Sequence, residues 1–121
     1  MSGAESYWAG RSAEAQVARH YAAQGLAVVA ERWRGKRGEI DLILREPAAA
    51  GGGYVFVEVK KSRDLARAAE RLTARQIARL QGAGEEFLAS QPGGMALPAR
   101  FDVALVDGQG QVQIIENALW G

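Results

Sequence analysis

A chain of 121 residues, 48% hydrophobic and 24% charged, fits one globular domain spanning 1–121 and excludes disorder of the whole chain. Its formal net charge of +1 gives no bulk attraction for acidic partners, so nucleic-acid binding would have to come from local clusters. With no cysteine and one histidine, disulfide frameworks, thiolate zinc sites and histidine-rich metal sites are excluded. The amino terminus MSGAESYWAGRSAEAQ lacks a signal-peptide pattern, and no apolar run approaches the roughly 18 residues of a membrane span, so a cytoplasmic protein with no membrane partner is expected.

In chain order, GRSAEAQVARHYAAQ (Gly10 to Gln24) reads as a helix stopped by Gly25, with Val17, Ala18, Tyr21 and Ala22 on one face. LAVVAERWR (Leu26 to Arg34) is β-rich, GKRG is turn-like, and EIDLILR (Glu39 to Arg45) alternates with period two. EPAAAGGG forms a loop, and YVFVEVK from Tyr54 is the third strand of an antiparallel meander. Ser62 to Leu72 has the Arg and Ala content of a helix but no apolar stripe to fix it. Thr73 is placed to cap a helix running to Ser90, with Ile77, Leu80, Gly84, Phe87 and Leu88 on its apolar face. RFDVALV (Arg100 to Val106) and VQIIE (Val112 to Glu116) flank the hairpin signal DGQG. A helix between the third and fourth strands makes that pair parallel, so the expected class is α/β with a central mixed sheet in the order αβββαββ.

Charges enter the third strand at Glu58 and Lys60. Both its faces are partly apolar, as in a strand covered on both sides. On the second strand Glu39, Asp41 and Ile43 share one face, with Ile40, Leu42 and Leu44 opposite. If the intervening loop closes symmetrically, Ile43 pairs with Phe56, Asp41 with Glu58, and Glu39 with Lys60. Opposed carboxylates repel, and partial burial makes ionising both more costly. With Lys60 and Glu39 offsetting each other, Asp41 and Glu58 are left needing a cation, and Mg²⁺ suits one or two carboxylates plus waters. Glu14 falls on the stripe of the first helix that should face the sheet, where it is either structural or a third carboxylate of the site. Singly, each acid is more often a structural or solvated charge. Together with Lys60 they have the composition that metal-assisted phosphodiester hydrolysis requires.

GxxxE at Gly10 to Glu14, GEID at Gly38 to Asp41, FVEVK at Phe56 to Lys60 and RFDV at Arg100 to Val103 together resemble the bacterial YraN-like family. That family is described as predicted nucleases of restriction-endonuclease-like fold, within the PD-(D/E)XK superfamily and similar to archaeal Holliday-junction resolvases. The resemblance spans nearly the whole chain. It implies that Asp41, Glu58 and Lys60 are the superfamily's Asp, Glu and Lys and that Glu14 is the resolvase-like helical Glu. Ile40 stands where the superfamily's Pro-Asp pair has proline, so the match rests on Asp41 and the later Glu58 and Lys60. Resolvase-like enzymes act as dimers on symmetric junctions, so the resemblance also suggests a homodimer.

Five arginines, Arg63, Arg67, Arg71, Arg75 and Arg79, recur every fourth residue after Lys60 and Lys61, a stripe suited to a phosphate backbone or to solubilising a helix. Arg34, Lys36 and Arg37, with Arg32, form a second basic group around Trp33, which is read as packing before base stacking. Gln76 is a weaker candidate to reach the site, Arg100 and Asp102 read as a structural pair, and His20 as a surface histidine. The leading expectation is a Mg²⁺- or Mn²⁺-dependent endonuclease acting on DNA, including branched or structured forms. Asp41, Glu58 and Glu14 would serve the metal and Lys60 would position or activate water. Lys61, Arg63, Arg67, Arg71, Arg75, Arg34, Lys36 and Arg37 would contact the nucleic acid. The alternatives are a nucleic-acid-binding protein of the same fold without turnover, and an interaction module whose charges are structural.

Overall fold

The computed structural model describes residues 13–61 and 73–118. Helix α1 covers residues 13–22, and Ala13, Val17 and Tyr21, four apart, form its buried stripe. Ala22, expected on that face, is exposed, because it lies across the helix from Ala13. Gly25, at φ 90, turns the chain after it.

Strands β1 (Ala27–Arg34), β2 (Glu39–Arg45) and β3 (Tyr54–Lys61) follow as an antiparallel meander. Helix α2 (Ala74–Ser90) then returns the chain so that β4 (Ala99–Val106) pairs parallel with β3, and β5 (Val112–Ile115) pairs antiparallel with β4. The result is one five-stranded mixed sheet in the order β1-β2-β3-β4-β5, the α/β arrangement expected from the sequence. Its central strand, β3, is buried over Tyr54 to Val57 and covered on both faces.

Alternation along β2 and β3 sorts the core into two layers. Leu42, Leu44, Val55 and Val57 face α1 with Ala104 and Val106, whereas Ile43, Tyr54 and Phe56 face α2 with Phe101. From α2, Leu80, Ala83 and Phe87 close the second layer, and the Phe87 ring meets Trp33, Tyr54 and Phe56 edge-on at 5.3–5.9 Å between centroids. Trp33 is therefore a packing residue. Gly84 sits so close to the sheet that a Cβ there would lie 2.5 Å from Cζ of Phe101. Thr73 caps α2 reciprocally: its Oγ1 accepts from Gln76 N at 3.1 Å, and its own N–H donates to Gln76 Oε1 at 3.0 Å.

Asp102 is the one buried charged residue among those described, and it is fully partnered. It accepts from Tyr21 Oη at 2.7 Å, Arg100 Nε at 3.1 Å and Asn117 N at 3.0 Å, tying α1, β4 and the segment after β5 together. Burial and the Asp102 bond push the Tyr21 phenol far above its ordinary range, so it stays protonated as a donor. The Arg100–Asp102 pair is thus structural, as expected. In the β4–β5 hairpin Asp107 accepts from the N–H groups of Gln109 and Gln111, while Gly110 takes φ 85. Among the described residues no helix is long and apolar enough to cross a membrane.

Candidate metal and phosphodiester site

The site lies where two neighbouring strands part. Pairing of β2 with β3 includes the expected Ile43–Phe56 pair and ends at Leu42–Val57, yet β2 continues against β1 to Glu39 and β3 against β4 to Lys61. The expected Asp41–Glu58 and Glu39–Lys60 pairs are therefore not ladder pairs. Parting leaves the Val59 N–H without a strand partner on that side, and the Asp41 carboxylate accepts from it at 2.8 Å. The face assignment shifts with it: Ile40 joins the α2 layer instead of following Leu42 and Leu44, because β2 at that point pairs only with β1.

Asp41 meets Glu58 through their side chains. Burial and the adjacent Glu58 carboxylate, helped by the hydrogen bond between them, push Asp41 up to about 7 from an ordinary 3.8, against the pull of the Val59 N–H. Asp41 thus holds on to its proton almost to neutrality. Lys60 pairs with Glu58 at 3.3 Å, both side chains being largely buried, and Glu39 is taken by Arg34 at 2.9 Å. The expected neutralisation of Lys60 by Glu39 does not occur, and of Glu39, Asp41 and Glu58 it is Asp41 that has no ion-pair partner among the described residues.

Glu14 reaches towards the sheet from α1, and its largely buried carboxylate receives Arg32 Nε at 3.4 Å to each oxygen. Arg32 occupies the β1 position matched to Asp41, between the pairs Glu31–Leu42 and Trp33–Ile40. Its φ of 50 is one that a non-glycine residue rarely adopts. Among the described residues no group of three or more acidic or imidazole side chains is arranged to hold a metal. The Asp41–Glu58 pair by itself offers hard oxygen donors with a charge deficit, which fits a Mg²⁺-type ion that keeps most of its waters.

Towards α2, Glu58 of the pair borders a cleft of about 190 Å³ lined also by Gly38, Glu39, Gln76, Arg79 and Leu80. Gln76, the weaker candidate, lines the same cleft as Glu58. Of the basic candidates, Lys61 and Arg75 are exposed at the end of β3 and in the first turn of α2, while Arg63, Arg67 and Arg71 lie outside the described residues. Lys36 and Arg37 are fixed in place: Glu86 on α2 accepts both their backbone N–H groups, and Arg37 Nη1 donates to Glu85 at 3.0 Å. Sequence reasoning placed Arg32 only in the basic group around Trp33 and left Glu86 unassigned. An unusual φ at an arginine leaves no mark in composition, and a carboxylate that binds main-chain N–H groups some 50 positions away has no periodic signature.

Fold and site together define a mixed α/β protein that presents an acidic pair and a lysine at the parted ends of its two central antiparallel strands. The family described as "Uncharacterised protein family UPF0102" matches residues 13–106, and the chain belongs to it. It is 56% identical to a UPF0102 protein of Cereibacter sphaeroides (strain ATCC 17029) over 118 residues, covering 98% of this chain and 97% of the relative. A UPF0102 protein of Ruegeria pomeroyi is 55% identical over 116 residues, covering 96% and 91%. One of Dinoroseobacter shibae is 43% identical over 115 residues, covering 95% and 83%.

Proposed function

We propose that the protein is a metal-dependent nuclease of the restriction-endonuclease-like superfamily, hydrolysing phosphodiester bonds in DNA, with branched or structured DNA among its substrates. The observation that carries the reading is the Asp41–Glu58 pair, two acids brought together at the strand split with Lys60 on one of them. A structural role would favour a balanced charge set, whereas here two carboxylates share one lysine and Glu58 borders a cleft. Asp41 and Glu58 would hold one Mg²⁺ or Mn²⁺, and Glu14 would support the site through Arg32. The ion supplies positive charge to the scissile phosphate and acidifies the attacking water. Lys60, already anchored by Glu58, is placed to orient that water or to stabilise charge developing on the phosphate. The Val59 N–H holds the Asp41 carboxylate in its rotamer and favours its ionised form.

The decisive experiment is a Mg²⁺ and Mn²⁺ titration of wild type and Asp41→Ala against labelled linear, single-stranded and branched DNA. Wild type should cleave at least one substrate only with metal, and Asp41→Ala should lose at least a hundredfold in rate, about 2.7 kcal/mol of barrier. Absence of cleavage and of carboxylate-dependent metal binding in the wild type would reject the reading. Salt-sensitive DNA binding that survives Asp41→Ala, without cleavage, would instead establish a binding protein on the same fold.

A further inference from the structure

The arginine stripe treats its members as equivalent; the fold does not. Both of its described members are exposed, but Arg75 stands at the start of α2 away from the cleft, whereas Arg79, one turn on from Gln76, lines the cleft with Glu58. We propose that Arg79 is the phosphate-holding residue of that cleft, its guanidinium binding the non-bridging oxygens of a phosphodiester laid between α2 and the Glu58–Lys60 edge. The assignment rests on the nuclease reading above.

Three observations carry it. Both carboxylates lining the cleft already have cations, Glu39 in Arg34 and Glu58 in Lys60. Arg79, on the facing wall, makes no ion pair or side-chain hydrogen bond among the described residues, so its planar fork of donors is open to an anion. Its backbone position is set by contact: Gly38 approaches so closely that a Cβ there would lie 3.0 Å from the Arg79 carbonyl oxygen. That approach fixes the wall bearing Arg79 against the start of β2, and hence against the strand that carries Asp41. A cleft with acids on one side and an open guanidinium on the other suits a ligand that carries its own negative charge and recruits a cation, which a phosphodiester does. A lysine would present a point charge; the arginine fork matches two phosphate oxygens at once.

The test is fluorescence anisotropy of labelled duplex and branched DNA in EDTA, over a range of salt, for wild type, Arg79→Ala, Arg79→Lys and, as a control on α1, Arg19→Ala. Arg79→Ala should bind about tenfold more weakly, with the slope of log affinity against log salt reduced by ~0.9, the loss of one phosphate contact. Arg79→Lys should keep the slope and lose part of the affinity, and Arg19→Ala should match wild type in both. Thermal unfolding should be the same for all four proteins. A wild type that binds and cleaves DNA while Arg79→Ala keeps its affinity and slope would overturn the assignment and leave the nuclease reading standing. A wild type that neither binds nor cleaves DNA would overturn both.

Discussion

At the scale of single residues, Asp41 carries the largest testable consequence. Its carboxyl is raised in the folded protein, by burial first and by Glu58 second, from an ordinary 3.8 to about 7. The unfolded chain therefore ionises this acid more readily than the folded one. The contribution of Asp41 to stability is fully present below about pH 4 and is lost as pH rises through about 7. In EDTA, urea denaturation should show stability falling across that window, and Asp41→Asn should flatten the fall and exceed wild type at neutral pH. Adding Mg²⁺ at neutral pH should raise the melting temperature of wild type and leave Asp41→Asn unmoved. A wild-type profile that rises from pH 4 to 7 would contradict the geometry of the pair. The sequence made Asp41 and Glu58 suspects, because apolar alternation put both on one face of neighbouring strands. It could not show that Lys60 would choose Glu58 over Glu39, since that choice depends on where the ladder stops.

Among the elements, α2 shows two physical tendencies in opposition. Gly84 lies in the middle of a helix, where alanine is preferred by about 1 kcal/mol on propensity alone. A Cβ at Gly84 would meet the Phe101 ring at 2.5 Å, inside a layer already filled by Phe56 and Phe87. Overpacking of that kind costs roughly 1–3 kcal/mol, which outweighs the propensity gain. Gly84→Ala should therefore destabilise the protein, by up to about 2 kcal/mol in urea denaturation. A stabilised variant would mean that the helix stands further from the sheet than described. The same close approach brings Glu86 within reach of the Lys36 and Arg37 amides, so the basic turn before β2 is held by the helix that forms the cleft. Capping by Thr73 and the stripe through Leu80 and Phe87 were legible from spacing alone. The distance between helix and sheet was not, because it depends on which rings fill the gap.

For the molecule as a whole, stability should grade outward from β3. Tyr54 to Val57 are buried and paired on both sides, while β1 has β2 on one side only, a bulge between Val28 and Ala30, and exposed Val28 and Val29. Native-state hydrogen exchange should find the slowest amides in β3 and its neighbours and the fastest strand amides in β1. Equal protection of β1 and β3 would mean that the open edge is covered by something further, such as a second copy of the chain. The order helix, three strands, helix, two strands followed from local patterning, as did the parallel β3–β4 pair, since a helical crossover of that length permits little else. What the sequence by itself determined was the inventory: which strands are apolar on both faces, where turns fall, and which charges interrupt the core. Only the tertiary structure decided how those charges are shared, because the parting of β2 from β3 at Leu42–Val57 is a cooperative outcome of twist and packing on both sheet faces. That separation gives Glu58 to Lys60, gives Arg34 to Glu39, and leaves Asp41 with the Val59 N–H and a proton.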